Sequence, residues 1–197
     1  MLVNSKQLGM TLIELMVGLV ILSVLLSLAA TSYQGWIQNQ QIRVAAESIL
    51  NGLQIARAEA VKNNSNVRFV LCGLNNPTPN SSWDILAISA GAPAPAVSPN
   101  CVLPLPVAGE LRIQDRNGNE GSQNAVVAVA PPGSIAITFD GLGRVIGNLD
   151  GSLTVTQFNI ANPLGGTRPL SVTQAPGGAV RMCDPSPNLA LNDPRHC

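Results

Sequence analysis

Between Glu14 and Arg43 this chain has no charged residue, and the apolar run that starts at Met10 is broken only by Glu14 itself. A short polar leader carrying Lys6 precedes it and ends in Gly9. An apolar stretch of about 20 residues can cross a bilayer only as a helix, because a helix satisfies its own backbone polar groups in lipid. A carboxylate inside such a stretch is costly and usually functional. From composition alone the segment therefore reads as an export signal or a membrane anchor.

Neither reading needs special chemistry. A secretory signal would be cut after Ser27-Leu28-Ala29, but its apolar core would be too long and would contain a glutamate. A simple anchor would use Thr11-x-x-Glu14 as a capping box, with hydroxyl and carboxylate satisfying free N–H groups of the first turn.

From Thr31 to about Asn63 the helix pattern continues and turns amphipathic. Ile42, Ala45, Ala46, Ile49, Leu53, Ala56 and Ala60 recur at three- and four-residue steps, so they share one face. No proline interrupts Met10 to Val61, and one continuous helix of about 78 Å is allowed at 1.5 Å per residue. Gly18, Gly35 and Gly52 are its weak points, read either as close packing sites or as bending points. Asn63-Asn64-Ser65-Asn66 ends it.

Beyond the helix, short strand patterns alternate with turn residues. Strands are expected at 67–71, 83–88, 111–114, 125–130, 135–139, 153–160, 170–173 and 180–183. Loops are expected at 75–82 and, rich in Pro and Ala, at 90–106. Asp140-Gly141-Leu142-Gly143 and Pro176-Gly177-Gly178 read as turns. One long helix followed by many strands predicts an α+β fold, with an antiparallel sheet wrapping the amphipathic half of the helix. The expected divisions are a leader over 1–9, an apolar helix over 10–32, an amphipathic half over 33–63 and a β-rich head over 64–197.

The four cysteines, Cys72, Cys101, Cys183 and Cys197, have no Cys-x-x-Cys spacing, and His196 is the sole histidine, so no metal site is expected. An even number beyond an export segment reads as two disulfides in an oxidising compartment. Three connectivities are possible. Cys72–Cys101 and Cys183–Cys197 are favoured because each closes a local loop. No catalytic constellation is expected: a Ser-His-Asp or Cys-His arrangement is improbable with one histidine, and the acids are scattered. Asp84, Asp140 and Asp150 are expected to shape turns or strand ends. No cofactor is implied, because Gly141-x-Gly143 with Gly147 has the wrong spacing for a nucleotide fingerprint.

Gly9-Met10-Thr11-Leu12-Ile13-Glu14-Leu15 resembles the class III signal of type IV prepilins and type II secretion pseudopilins. Leu8 and Met10 depart from the commoner basic residue and phenylalanine. The resemblance implies cleavage between Gly9 and Met10 by a prepilin peptidase and N-methylation of Met10. It implies that Glu14 pairs with the Met10 ammonium of a neighbouring subunit during filament assembly. Leu53-Gln54-Ile55-Ala56-Arg57-Ala58-Glu59-Ala60 is similar to the signature of the GspH/FimT group of minor pilins and pseudopilins, and Phe139 to Val145 resembles a hairpin of that head. Arg181-Met182-Cys183-Asp184-Pro185 and the Asp193-Pro194-Arg195 before Cys197 look more like the FimT/FimU minor pilins.

This resemblance implies a minor pilin of a type IV pilus that primes or enters the filament. The alternatives are a GspH-type pseudopilin of a type II secretion system and a DNA-binding minor pilin for natural transformation. Implied partners are other major and minor pilins, the peptidase, an inner-membrane assembly platform and membrane lipid. The implied location is a single-pass inner-membrane anchor with a periplasmic head, then an extracellular pilus or periplasmic pseudopilus. For DNA, the family's Gly-Arg-x-Arg motif reads Gly178-Ala179-Val180-Arg181 here. Arg144, Arg168, Arg181 and Arg195 are the candidate contacts if they cluster. From residue 63 onward seven arginines face eight acids, which is a poor electrostatic basis for phosphate binding.

Overall fold

A computed structural model describes residues 9–72, 80–88, 110–165, 168–186, 188–190 and 192–197, and within its helix all side chains but those of 28–32. The helix α1 runs Leu12–Asn63 without interruption. Thr11 caps its start in extended conformation, and its side chain accepts from the Glu14 N–H. Asn64 ends it at φ 44°, in the left-handed region that asparagine tolerates, and the Asn64 and Ser65 N–H groups close back onto Val61 and Ala60.

The seven apolar positions that share one face of the second half, Ile42 to Ala60, are all fully buried. Among the described residues nine antiparallel strands pack around them in two sheets, where the sequence suggested one. The strands are β1 Asn66–Leu71, β2 Trp83–Ile88, β3 Glu110–Arg116, β4 Val126–Ala130, β5 Ala136–Phe139, β6 Val145–Ile146, β7 Gln157–Ala161, β8 Leu170–Gln174 and β9 Val180–Cys183. The first sheet has the order β3-β2-β1-β5-β6, and the second β4-β7-β8-β9.

The strand expected at 153–160 starts only at Gln157, because the chain there crosses between sheets. The Val155 N–H bonds to the Ala136 carbonyl in β5, and the Thr156 N–H bonds to the Ala130 carbonyl in β4. The two-residue β6 has no periodicity to reveal it. The loop expected at 90–106 lies outside the described residues, as does most of that at 75–82.

Both sheets turn apolar side chains onto α1. Val67, Phe69 and Leu71 of β1 meet Phe158 and Ile160 of β7 and Val172 of β8 in one cluster with the helix face. Phe69 joins the layers. Its ring stands edge-on to Phe158 at 5.9 Å and tilted against Trp83 at 5.6 Å. Gly52 is where α1 touches these rings, since a Cβ there would come within 2.8 Å of the Phe69 ring. Gly18 and Gly35 face open space. Of the three helix glycines, only Gly52 is explained by close packing.

The far face of the first sheet is also buried. Arg68 is fully enclosed in β1, 3.7 Å from Glu110 and 3.6 Å from Asp150. Asp84, expected at a turn or strand end, is the second residue of β2 and takes a 2.9 Å bond from Arg112. Burial pushes the Asp84 and Glu110 carboxyls upward against the pull of their arginines.

Candidate assembly surface

The first half of α1 touches nothing else among the described residues. Met10, Leu12, Ile13, Leu15, Met16, Val17, Leu19, Val20, Ile21, Leu22, Val24, Leu25 and Leu26 are each more than half exposed. The serine hydroxyls of this arm are satisfied within it. Ser23 donates to the Val20 carbonyl at 2.8 Å and Ser27 to that of Val24 at 2.7 Å, so neither hydroxyl asks for an outside partner. No helix among the described residues is long and apolar enough to cross a membrane. The arm is nonetheless a far larger exposed apolar surface than soluble monomers tolerate.

Glu14 is the exception. Its N–H bonds to Thr11 Oγ1 at 3.3 Å, which is the hydroxyl half of the capping box. The reciprocal half is not made: among the described residues the carboxylate has no hydrogen bond or ion pair, and the residue is exposed. The cap thus leaves the charge available. Gly9 has nothing within 4 Å of where a side chain would stand, so the bond between Gly9 and Met10 sits on open chain.

Past the arm, Tyr33 and Trp36 stack on each other with ring centroids 5.9 Å apart, both exposed. The head then closes on the helix. Gln38 donates to the Leu164 carbonyl at 3.0 Å, Gln41 Oε1 accepts from Asn162 at 3.1 Å, and Asn39 Oδ1 accepts from the Arg168 N–H at 3.2 Å. Farther along, the Leu53-to-Ala60 signature does two things. Leu53, Ala56 and Ala60 fill the core, and Arg57 Nε donates to the Gly143 carbonyl at 3.0 Å.

The four arginines considered for DNA do not form one patch. Arg144 and Arg195 are each held by a neighbouring carboxylate, Asp140 and Asp193, at 2.8 Å. The backbone N–H of Arg144, with its side chain and the Leu142 N–H, holds Asp140 below the usual carboxylate range. Arg195 holds Asp193 at about 2. Arg181 donates to the His196 carbonyl. Arg168 sits level with Asn39 at the base, whereas Arg144 lies next to Gly143, which Arg57 holds; these helix positions are about 27 Å apart at 1.5 Å per residue. Gly178, the glycine of the motif, has a structural duty: its φ is 80°, and a Cβ there would collide with the Gly143 carbonyl oxygen.

Cys183 and Cys197 form a disulfide, their Cα atoms 5.1 Å apart, which ties the C-terminal tail to β9. Cys72 is also disulfide-bonded, and Cys101, the partner expected for it, lies outside the described residues. The residue that sequence reasoning missed is Arg68. A lone arginine in an apolar strand reads as an outward side chain, and its acids at 110 and 150 are too distant in sequence to signal the cluster.

An exposed apolar arm, a capped but unspent carboxylate and a helix-wrapping β head occur together in this chain. A family model described as "Type II transport protein GspH" matches residues 45–186, and one for the prokaryotic N-terminal methylation motif matches residues 4–30. The chain belongs to the GspH family. No curated protein is a significant match. Among solved structures, it is similar to the type IV minor pilin FimU of Pseudomonas aeruginosa, at 18% identity over 72% of this chain and 87% of that one, TM-score 0.46. It is also similar to the minor pseudopilin EpsH from the type 2 secretion system of Vibrio cholerae, at 12% identity over 74% of this chain and 98% of that one, TM-score 0.48. GspH-family membership accounts for the long helix with its antiparallel head.

Proposed function

We propose that this GspH-family protein is a minor pilin of a type IV pilus, cut after Gly9, methylated at Met10 and built into the filament by α1. The observation that carries the proposal is the arm from Met10 to Leu26, exposed throughout and apolar apart from Thr11, Ser23 and one acid, Glu14, which has no partner among the described residues and lies four residues past the trimmed end. Lipid covers the arm before assembly and the arms of other pilins cover it afterwards, so the buried apolar area favours both states over water. Glu14 then meets the methylated ammonium of a neighbouring Met10. In a low-dielectric surrounding that pairing offsets the cost of burying either charge alone.

In this reading a prepilin peptidase removes residues 1–9, an inner-membrane platform extracts the protein, and the head stays periplasmic until the filament carries it outward. The partners are other major and minor pilins. Sheared filaments should yield a polypeptide starting at N-methylated Met10. A start at Met1 or Ala30 overturns the proposal.

The second reading is a pseudopilin of a type II secretion system, favoured by the description of the family model that covers the head. Deleting the gene and scoring twitching against protein secretion separates the two. DNA uptake is the weakest reading, because Arg144 and Arg195 already hold Asp140 and Asp193. A gel shift with the full-length protein in detergent, at low and moderate salt, tests it; no retardation at low salt removes it.

A further inference from the structure

A sheet edge exposes unpaired backbone N–H and C=O groups, and proteins guard such edges with charge, shortness or a covering segment. Among the described residues, three of the four sheet edges are guarded. β3 carries Glu110, Arg112, Asp115 and Arg116 in seven residues. β6 is two residues long, and its Val145 N–H is taken by the Pro176 carbonyl. β9 is tied to the C-terminal tail by the bridge between Asp184 and His196, by the Arg181 bond to the His196 carbonyl and by the disulfide.

β4 is different. It reads Val-Val-Ala-Val-Ala, has no charge, proline or glycine, and pairs only with β7 among the described residues. Val127 is buried in the core and Val129 packs against it, while Ala128, on the opposite face, is exposed. Such a strand left unguarded is a receptor for one kind of ligand: an extended, uncharged peptide segment that continues the ladder.

We propose that the outer edge of β4 receives an extended strand from a different, co-oriented pilin subunit in the filament. The inference rests on the pilin reading above and names where that neighbour docks. Two observations select the occupant. First, β4 begins level with the first enclosed turns of α1. Val126 pairs with Ala161, the adjoining Asn162 bonds to Gln41, and a methyl on Gly121 would touch Val44 at 3.4 Å. A subunit packed along the exposed arm therefore lies level with the start of β4. Second, a copy of this chain adding its own β4 antiparallel needs a two-fold axis normal to the sheet. That axis also reverses α1, which no filament of parallel arms accommodates. The added strand must come from another element of a neighbour whose α1 runs the same way.

A photo-crosslinking amino acid at position 128, in cells assembling filaments, tests this, with position 111 on the guarded β3 edge as the control. The expected product is an adduct from position 128 alone, to another subunit carrying a cleaved methylation segment, mapped to an extended stretch of it. Ala128→Lys restores the charge that other edges carry. It should abolish co-isolation of that subunit while leaving the melting temperature in detergent unchanged. An adduct with the β4 strand of a second copy, with lipid or with nothing overturns the inference. So does entry of Ala128→Lys into filaments with the same neighbour as wild type. If wild type never enters filaments, the pilin reading itself falls; if wild type enters and position 128 stays silent, only the edge inference falls.

Discussion

Arg57 Nε donates to the Gly143 carbonyl oxygen at 3.0 Å, and through that bond the family signature of α1 holds the turn between β5 and β6. The bond is half-buried, and no other donor to that oxygen is present among the described residues. Replacing Arg57 with Met keeps the stem and removes the donor. The expected loss is about 1–2 kcal/mol, the cost of leaving an enclosed carbonyl unsatisfied. Urea unfolding of the full-length protein in detergent measures it, and an unchanged midpoint would assign the arginine to solvent.

The same carbonyl makes Gly178 obligatory. Gly178 at φ 80° and Gly133 at φ 83° have the same backbone demand, but only Gly178 is crowded, against Gly143. Gly133→Ala should therefore cost only the left-handed penalty, about 1–2 kcal/mol. Gly178→Ala should cost more than twice that, because backbone must also move. Equal losses at the two sites would show that crowding contributes nothing.

In α1 two effects of opposite sign compete when glycine becomes alanine. Helix propensity gains about 1 kcal/mol at any interior position. At Gly35 space is open, so Gly35→Ala should stabilise by nearly that amount. At Gly52 the new methyl meets the Phe69 ring at 2.8 Å, and that ring is locked between Trp83 and Phe158. Overpacking costs about 1–3 kcal/mol, so it wins, and Gly52→Ala should lower the unfolding midpoint.

What the sequence disclosed and what it hid divide along a physical line. Periodicity is a local signal, so Ile42 to Ala60 were legible as one buried face, and β2 and β9 were legible to the residue. Two things were not local. One was the split into two sheets, because the crossing at Val155 and Thr156 is made by bonds to Ala136 and Ala130, about 20 residues or more away. The other was the Arg68 cluster, whose members come from β1, β3 and a turn. At the candidate site, Thr11 and Glu14 matched the capping box, but only the structure shows that the carboxylate is left out of it.

Acid should act on the C-terminal tail through Asp193. Bonds from Arg195 lower its folded-state pKa from 3.8 to about 2. A carboxyl with a depressed folded pKa contributes stability that is present above its unfolded value and lost as pH falls through its folded value. The tail's contribution should therefore fade between about pH 4 and pH 2 and vanish below that. Asp193→Asn should flatten the dependence in that window, with a constant loss relative to wild type above pH 5 that disappears below about pH 2. A variant that tracks wild type through the acid range would mean that the Arg195 contact does not hold in solution.

Glu14 allows charge to be separated from capping, because the capping contact uses its backbone N–H and not its carboxylate. Glu14→Gln keeps the Thr11 bond, the helix and the side-chain shape, and removes only the negative charge. If the residue serves merely to start the helix, Glu14→Gln should enter filaments as well as wild type, and Thr11→Ala should be the damaging change, at about 1 kcal/mol of cap stability. If the carboxylate pairs with a neighbouring Met10 ammonium, the order reverses. Glu14→Gln then leaves a buried ammonium without a counter-charge, a loss of about 3–5 kcal/mol at the subunit contact, enough to abolish incorporation. Membrane fractionation should remain unchanged in both variants, since the apolar arm is intact. Quantifying each variant in the membrane and in sheared filaments distinguishes the outcomes, with loss from the filament alone expected for Glu14→Gln.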